Sequence, residues 1–252
     1  MEETDSLLNN KLEGLYVKNL VKKYRRKKII SGIDLQLNKG EVVALLGPNG
    51  AGKTTTFYAI AGLVIPEEGS VLLNGKDITF LPMYRRAKLG MGYLPQEASI
   101  FRGLSVQDNI LSIAELWEAD KDTQHEILNE LLNEFSLGHL RKSPALSLSG
   151  GERRRVEIAR CLASNPQYIL LDEPFAGIDP VAVGEIRDIV STLKNRGIGV
   201  LITDHNVRET LKIVDRAYIL NAGTLIKSGT PDEVVQDEKV QKVYLGSDFN
   251  VV

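Results

Sequence analysis

The octet Gly47-Pro48-Asn49-Gly50-Ala51-Gly52-Lys53-Thr54 fits the pattern G-x-x-x-x-G-K-[ST]. It lies between the apolar run Val42–Leu46 and a stretch of helical composition, 53–62. The run fits a buried strand entering a tight loop, with a helix expected to follow. Glycines let backbone N–H groups turn inward around phosphate oxygens, and the helix N-terminus adds its positive pole. Lys53 is then placed to reach β- and γ-phosphates, and the Thr54 hydroxyl to ligate Mg²⁺; Thr55 extends the nucleotide-binding set. A plain Gly-rich turn is the bland alternative, and it leaves unexplained why strand, loop, lysine and hydroxyl coincide.

The rest of the chain supplies the sheet that such a loop requires. Residues 15–52 read as short strands with polar breaks, 71–73 as a strand closed by the turn pair Asn74-Gly75, and Met91–Leu94 as another strand. From Ser105 to Ala163, apolar residues recur at three- and four-residue intervals, as in Ile127, Leu128, Leu131, Leu132 and Phe135, which predicts helices. Strands return at 168–171, 199–202 and 217–220, separated by helices over about 180–195 and 206–213. Thr230-Pro231-Asp232-Glu233 sets an N-cap, a first-turn proline and a glutamate at N3 for a last helix. Alternating strand and helix implies an α/β fold with a parallel sheet, and the helical segment reads as an insertion into one domain.

Composition narrows the function classes. With 31 Lys+Arg against 33 Asp+Glu, a formal net charge of −2 and 43% hydrophobic residues in 252 positions, the chain is composed as an ordinary folded protein. Near neutrality provides no basic face for nucleic acid. No apolar run approaches the roughly 18 residues of a membrane span, so the chain is not expected to cross a bilayer by itself. Its first residues, Met1 to Asp5, are acidic and lack the basic and apolar regions of a secretory signal. With Cys161 as the lone cysteine, a cytoplasmic location is expected. No zinc is expected, since His and Cys do not cluster, and His125 and His139 read as surface residues.

Two further motifs carry chemistry. The run from Tyr168 ends in Asp172-Glu173-Pro174, and strand alternation aims the two carboxylates differently. In a phosphate-loop enzyme the first belongs near Mg²⁺ through water, and the second can orient or deprotonate the attacking water. Acidic residues that merely close a strand are the alternative. Leu148-Ser149-Gly150-Gly151-Glu152 contains a capping box, Ser149-x-x-Glu152, which needs no ligand. Yet two glycines at a helix start are costly for helix formation and let an anion approach the exposed N–H groups, so an anion site is the better account.

In their order along the chain, Gly47 to Thr54, Gln96, Leu148 to Arg153, Leu170 to Pro174 and His205 resemble the ATP-binding-cassette (ABC) family. The likeness covers nearly the whole chain, and the Leu-Ser-Gly-Gly-Glu signature makes it specific. It implies a phosphate-loop (RecA-like) core with an N-terminal antiparallel β subdomain and an inserted α-helical subdomain. The whole of 1–252 is then one ATPase domain, with a core at 14–95 and 166–232, a helical subdomain at 96–165 and a C-terminal extension at 233–252. By the same resemblance, Tyr24 stacks on adenine and Gln96 senses Mg²⁺ and a transmembrane partner. His205 contacts the γ-phosphate, Glu173 directs the attacking water, and Leu148 to Glu152 close over ATP held by the second subunit of a homodimer. Asp179, in Gly177-Ile178-Asp179, resembles the residue that couples the two sites. Locally, Tyr24 also reads as one residue of the charged run 22–28, and Gln96 as a loop cap.

Longer stretches around Gln96, Arg153, Asp179 and His205 are similar to the ATPase subunits of lipopolysaccharide transport systems of Gram-negative bacteria, as is the end 243–249. That likeness implies two transmembrane permease subunits, an attachment to the cytoplasmic face of the inner membrane, and a partner groove lined by Phe101 and Arg102. The plain reading of these two is a core residue and a surface charge. Gly103 stands where the resemblance leads one to expect a basic residue. The branched-chain amino-acid importer ATPase is the nearest rival, and a soluble cassette ATPase of iron-sulfur cluster assembly is the rival from another class.

Overall fold

The computed structural model describes residues 13–25, 27–176, 182–246 and 249. Its strands are β1 (Leu15–Tyr24), β2 (Lys27–Leu37), β3 (Val42–Leu46), β4 (Glu68–Leu73), β5 (Lys76–Asp77), β6 (Met91–Leu94), β7 (Tyr168–Asp172), β8 (Gly199–Thr203), β9 (Arg216–Asn221) and β10 (Thr224–Gly229). They form two sheets, an antiparallel one ordered β2-β1-β4-β5 and a six-stranded one ordered β10-β9-β3-β8-β7-β6. In the second sheet β9, β3, β8, β7 and β6 run parallel, and β10 closes one edge antiparallel to β9.

Every residue of β3, β7 and β8 is buried, as expected for parallel strands covered on both faces. Alternation divides their side chains between two cores. Val42, Ala44 and Leu46 face a core shared with the helices Gly150–Leu162 and Ala182–Asn195. Val43 and Leu45 face the antiparallel sheet and the helix Lys53–Ala61. The loop between β3 and that helix therefore emerges at the carboxyl edge of the sheet, where open α/β proteins bind ligands.

The predicted helical insertion consists of Val106–Trp117, capped by Ser105, Lys121–Glu134, capped by Asp120, and Gly150–Leu162, capped by Ser149. Residues 15–37, read from sequence as short strands with polar breaks, form two long strands paired as a hairpin with register shifts. Polar residues alternate with buried ones there because one face of the sheet meets solvent. Strands β5 and β10 and the short helix Met83–Ala87 are additions. The helix expected at about 206–213 is confined to Val207–Leu211. The capping box of the predicted last helix is present, with Thr230 and Glu233 bonding each other's backbone N–H.

One buried cation joins the two halves of the second core. Arg86 is 1% exposed. Its guanidinium donates to the carbonyls of Ala59 and Ile60 in the last turn of the helix Lys53–Ala61, and to those of Leu81 and Thr79. Burial lowers its pKa to about 10, which leaves it charged at neutral pH.

Candidate functional site

The phosphate-loop octet folds as its composition requires. Gly47 has φ 147°, and a Cβ there would run into the Leu220 carbonyl of β9. Gly52 has φ 102° and would place a Cβ 2.7 Å from a methyl carbon of Ile30. Only glycine fits both places. The turn between β9 and β10 braces the loop: Gly223 N–H donates to Ala51 O at 3.0 Å, and Gly223 O accepts from Ser31 N–H at 2.8 Å. The helix Lys53–Ala61 begins with no side-chain cap and no acidic residue in its first turn, which leaves its N-terminal N–H groups to an external acceptor.

A cleft of about 520 Å³ lies over this helix start. It is lined by Asn49, Gly50, Ala51, Gly52, Lys53, Thr54 and Thr55, by Glu173 and His205, and by Ala222 and the stretch 27–29. The Lys53 ammonium is folded back on the loop, donating to Gly47 O at 2.6 Å and Pro48 O at 3.1 Å. Burial lowers its pKa, and the nearby Glu173 charge opposes that shift.

Two residues at the ends of neighbouring strands, Glu173 and His205, add to the lining. Glu173 follows β7 with φ 46°, a left-handed conformation that a non-glycine residue adopts only when its surroundings enforce it. Its N–H donates to Thr203 O of β8 at 2.7 Å. This bend turns its carboxylate toward His205, whose Nδ1 lies 3.3 Å from Oε2. Asp172, one residue earlier, points inward and is 5% exposed, and its Oδ2 accepts from the Tyr93 hydroxyl at 3.2 Å. Asp204, fully buried beside His205, accepts from the N–H groups of Phe175 and Asn206 at 2.8 and 2.7 Å. Burial raises the pKa of both aspartates, and Glu173 adds to the rise. Several carboxylates crowded near a phosphate site leave negative charge that a divalent cation would neutralise. Among the described residues no three His, Cys, Asp or Glu side chains form a metal cage. A cation here would be held by a hydroxyl, water and nucleotide oxygens, the ordinary habit of Mg²⁺.

The remaining predicted residues are spread over other surfaces. Tyr24 ends β1 and is 48% exposed, with Lys22 Nζ 5.3 Å from its ring centroid; it does not line the cleft. Gln96 is exposed just beyond β6. Leu148 is buried, and Ser149 and Glu152 complete their capping box at 3.3 and 2.8 Å, so the structural reading of those two side chains is realised. That box does not use the two glycines: Gly150 has nothing within 4 Å of a Cβ position, and Gly151 faces the Glu185 carboxylate. None of 148–152 lines the cleft. Phe101 is 48% exposed rather than a core residue, with the Arg160 guanidinium 4.6 Å from its ring centroid, and Arg102 is exposed. Asp179 lies outside the described residues. No described helix is long and apolar enough to cross a membrane.

Sequence reasoning missed the polar side chains that hold these surfaces. Glu157, on the helix Gly150–Leu162, is 2% exposed and accepts from the N–H groups of Ser99 and Ile100 at 2.6 and 3.1 Å. Asn109, fully buried on the next helix, grips Phe101 by both its N–H and its carbonyl, at 2.9 and 3.1 Å. The loop carrying Phe101 is thus hung between two helices.

Comparison with known proteins agrees with this arrangement. The family model described as ABC transporter matches residues 30–176, and one described as branched-chain amino acid ATP-binding cassette transporter matches 226–250. An uncharacterized ABC transporter ATP-binding protein of Rhizobium meliloti is 56% identical over 94% of this chain and 88% of its own length. The lipopolysaccharide export system ATP-binding proteins LptB of Haemophilus influenzae and Escherichia coli K12 are 53% and 54% identical, each over 94% of this chain and 99% of their own lengths. A solved ATP-binding cassette of an ABC transporter in its ADP conformation superposes with a TM-score of 0.82 at 31% identity, covering 93% of this chain and 99% of the other. A family model spanning more than half the residues, relatives more than half identical along nearly all of them and a cleft built on the phosphate loop agree: the chain belongs to the ABC transporter family and is an ATP-binding, ATP-hydrolysing cassette.

Proposed function

We propose that this cassette is the ATPase subunit of a lipopolysaccharide exporter, working as a pair of identical copies beneath two transmembrane permease subunits on the cytoplasmic face of an inner membrane. The observation that carries the reading is the 54% identity to the E. coli LptB protein across 94% of this chain and 99% of that one. The match of 226–250 to the branched-chain cassette model supports a second reading, an amino-acid importer ATPase, but it rests on a short tail.

The separation of the cleft from 148–152 supports a composite site. The triphosphate lies along 47–55 of one copy, with Tyr24 against the adenine, and Ser149, Gly150 and Gly151 of the second copy face the γ-phosphate. Asp179 joins the two sites. Lys53 leaves the Gly47 and Pro48 carbonyls for the β- and γ-phosphates, and Glu173 takes the proton of the attacking water and aligns it in line with the leaving group. His205, 3.3 Å from Glu173, contacts the γ-phosphate. Thr54, Gln96 and, through water, Asp172 would hold Mg²⁺, which would supply positive charge to neutralise the phosphate oxygens. The core 14–95 and 166–232 carries the phosphate loop, 96–165 carries the partner's contact, and 233–252 extends the core.

Phe101 and Arg102 receive an element of the permease, since a half-exposed aromatic on a backbone fixed by Asn109, next to residues 99 and 100 fixed by Glu157, is a rigid anchor of the kind that dominates interfaces. Purification of the complex from native membranes, followed by lipopolysaccharide release to a periplasmic acceptor, tests the function. Permease subunits with ATP-dependent release are expected; importer subunits without release would reject the cargo and keep the chemistry. Phe101→Ala is expected to weaken permease association about tenfold while leaving hydrolysis by the free cassette within about twofold. Unchanged association would remove Phe101 from the interface.

A further inference from the structure

Asp172 is held by a neighbour that the sequence motifs do not include. Tyr93 stands on β6 opposite Leu170 of β7, and Leu170 and Asp172 lie on one face of that strand. The Tyr93 ring therefore reaches along β7 and places its hydroxyl 3.2 Å from Asp172 Oδ2. The ring also packs on the phosphate-loop helix, with the Phe57 ring centroid 6.2 Å away at an interplanar angle of 55°. Burial raises the pKa of the neighbouring Tyr58, which lies near enough for the Asp172 charge to add to the rise. Three elements of the site meet at one buried carboxylate. The strand that bears Tyr93 ends two residues before Gln96.

A carboxylate serving a cation through water is useful only when its oxygens point in a fixed direction. Groups bonded to metal-binding side chains set that direction and commonly control affinity by an order of magnitude or more. We infer that Tyr93 is a positioning residue for the Mg²⁺ site: its hydroxyl fixes how Asp172 faces the water shell of the cation, and it ties that direction to the strand leading to Gln96. This rests on the reading of Asp172 as the water-mediated Mg²⁺ residue.

Tyr93→Phe removes the hydroxyl and keeps the ring against Phe57. The measurements are Mn²⁺ binding to the nucleotide-loaded cassette by electron paramagnetic resonance, and fluorescent ATP-analogue affinity with and without Mg²⁺. The variant is expected to bind Mn²⁺ about tenfold more weakly. Its metal-free nucleotide affinity is expected to stay within about twofold of the parent, because the hydroxyl faces Asp172 and not the phosphate loop. Equal losses with and without metal would make Tyr93 a packing residue and overturn the inference. Asp172→Asn separates the inference from its premise. Weak Mn²⁺ binding in Asp172→Asn with normal binding in Tyr93→Phe would overturn the role of Tyr93 alone. Normal binding in both would overturn the reading of Asp172 as well.

Discussion

Glu173→Gln is expected to retain ATP and to hydrolyse it at least about a hundredfold more slowly, since a positioned general base contributes roughly two to four orders of magnitude. The amide keeps the size of the carboxylate and one oxygen that can accept a hydrogen bond, so the turn into the cleft and the contact toward His205 need not change. The proton acceptor is lost. The left-handed backbone at 173 depends on the Thr203 carbonyl and the strand ends, not on the side-chain charge, so the substitution is expected to leave the fold intact. The slowed enzyme should accumulate as a nucleotide-bound pair, read by gel filtration with ATP beside phosphate release. Parent-like turnover would take the base role away from Glu173.

Arg86→Met is expected to cost about 4 kcal/mol of folding stability, the upper end for single substitutions, because it strands several buried carbonyls at once. These are Ile60 O in the last turn of the helix Lys53–Ala61, Leu81 O and Thr79 O, while Ala59 O keeps the Gly62 N–H. Methionine fills much of the volume and bonds none of them. In a chain of this size the thermal midpoint should fall by roughly 10 °C. Arg86→Lys, with a compact ammonium in place of the fork, should recover only part of the loss. Urea and thermal unfolding measure both, and a loss under about 1 kcal/mol would mean that water reaches those carbonyls once the guanidinium is gone.

The contrast between Lys53 and Arg86 shows what the sequence could and could not disclose. The phosphate loop was legible because its requirements are local: strand, glycines, lysine and hydroxyl are contiguous, and backbone sterics at Gly47 and Gly52 demand glycine. The strands β3, β7 and β8 were legible because they are apolar on both faces. Strand β10 was not, since its burial is partial and its pairing depends on β9. Arg86, Glu157, Asn109 and Tyr93 were hidden for a different reason. Each is a polar side chain whose partners lie elsewhere on the chain or on its backbone, and nothing in local periodicity marks a charged residue as buried. The signature segment was legible only in part: its capping box is formed, and Gly151 lies against the Glu185 carboxylate, a contact the sequence did not disclose.

The turn at Ala222-Gly223 has a consequence for biosynthesis. Gly223 bonds Ala51, and the Leu220 carbonyl packs against Gly47, so the phosphate loop is braced by residues about 170 positions further on. A ribosome adding roughly 5 to 20 residues per second would leave the loop without its support for some ten seconds or more after it is made. Strand β3 waits as long for β9 and β8, which flank it. The brace of the phosphate loop therefore forms only once β9 and the turn behind it have emerged, and a nascent chain halted before β9 lacks the contacts that shape the loop that receives the nucleotide.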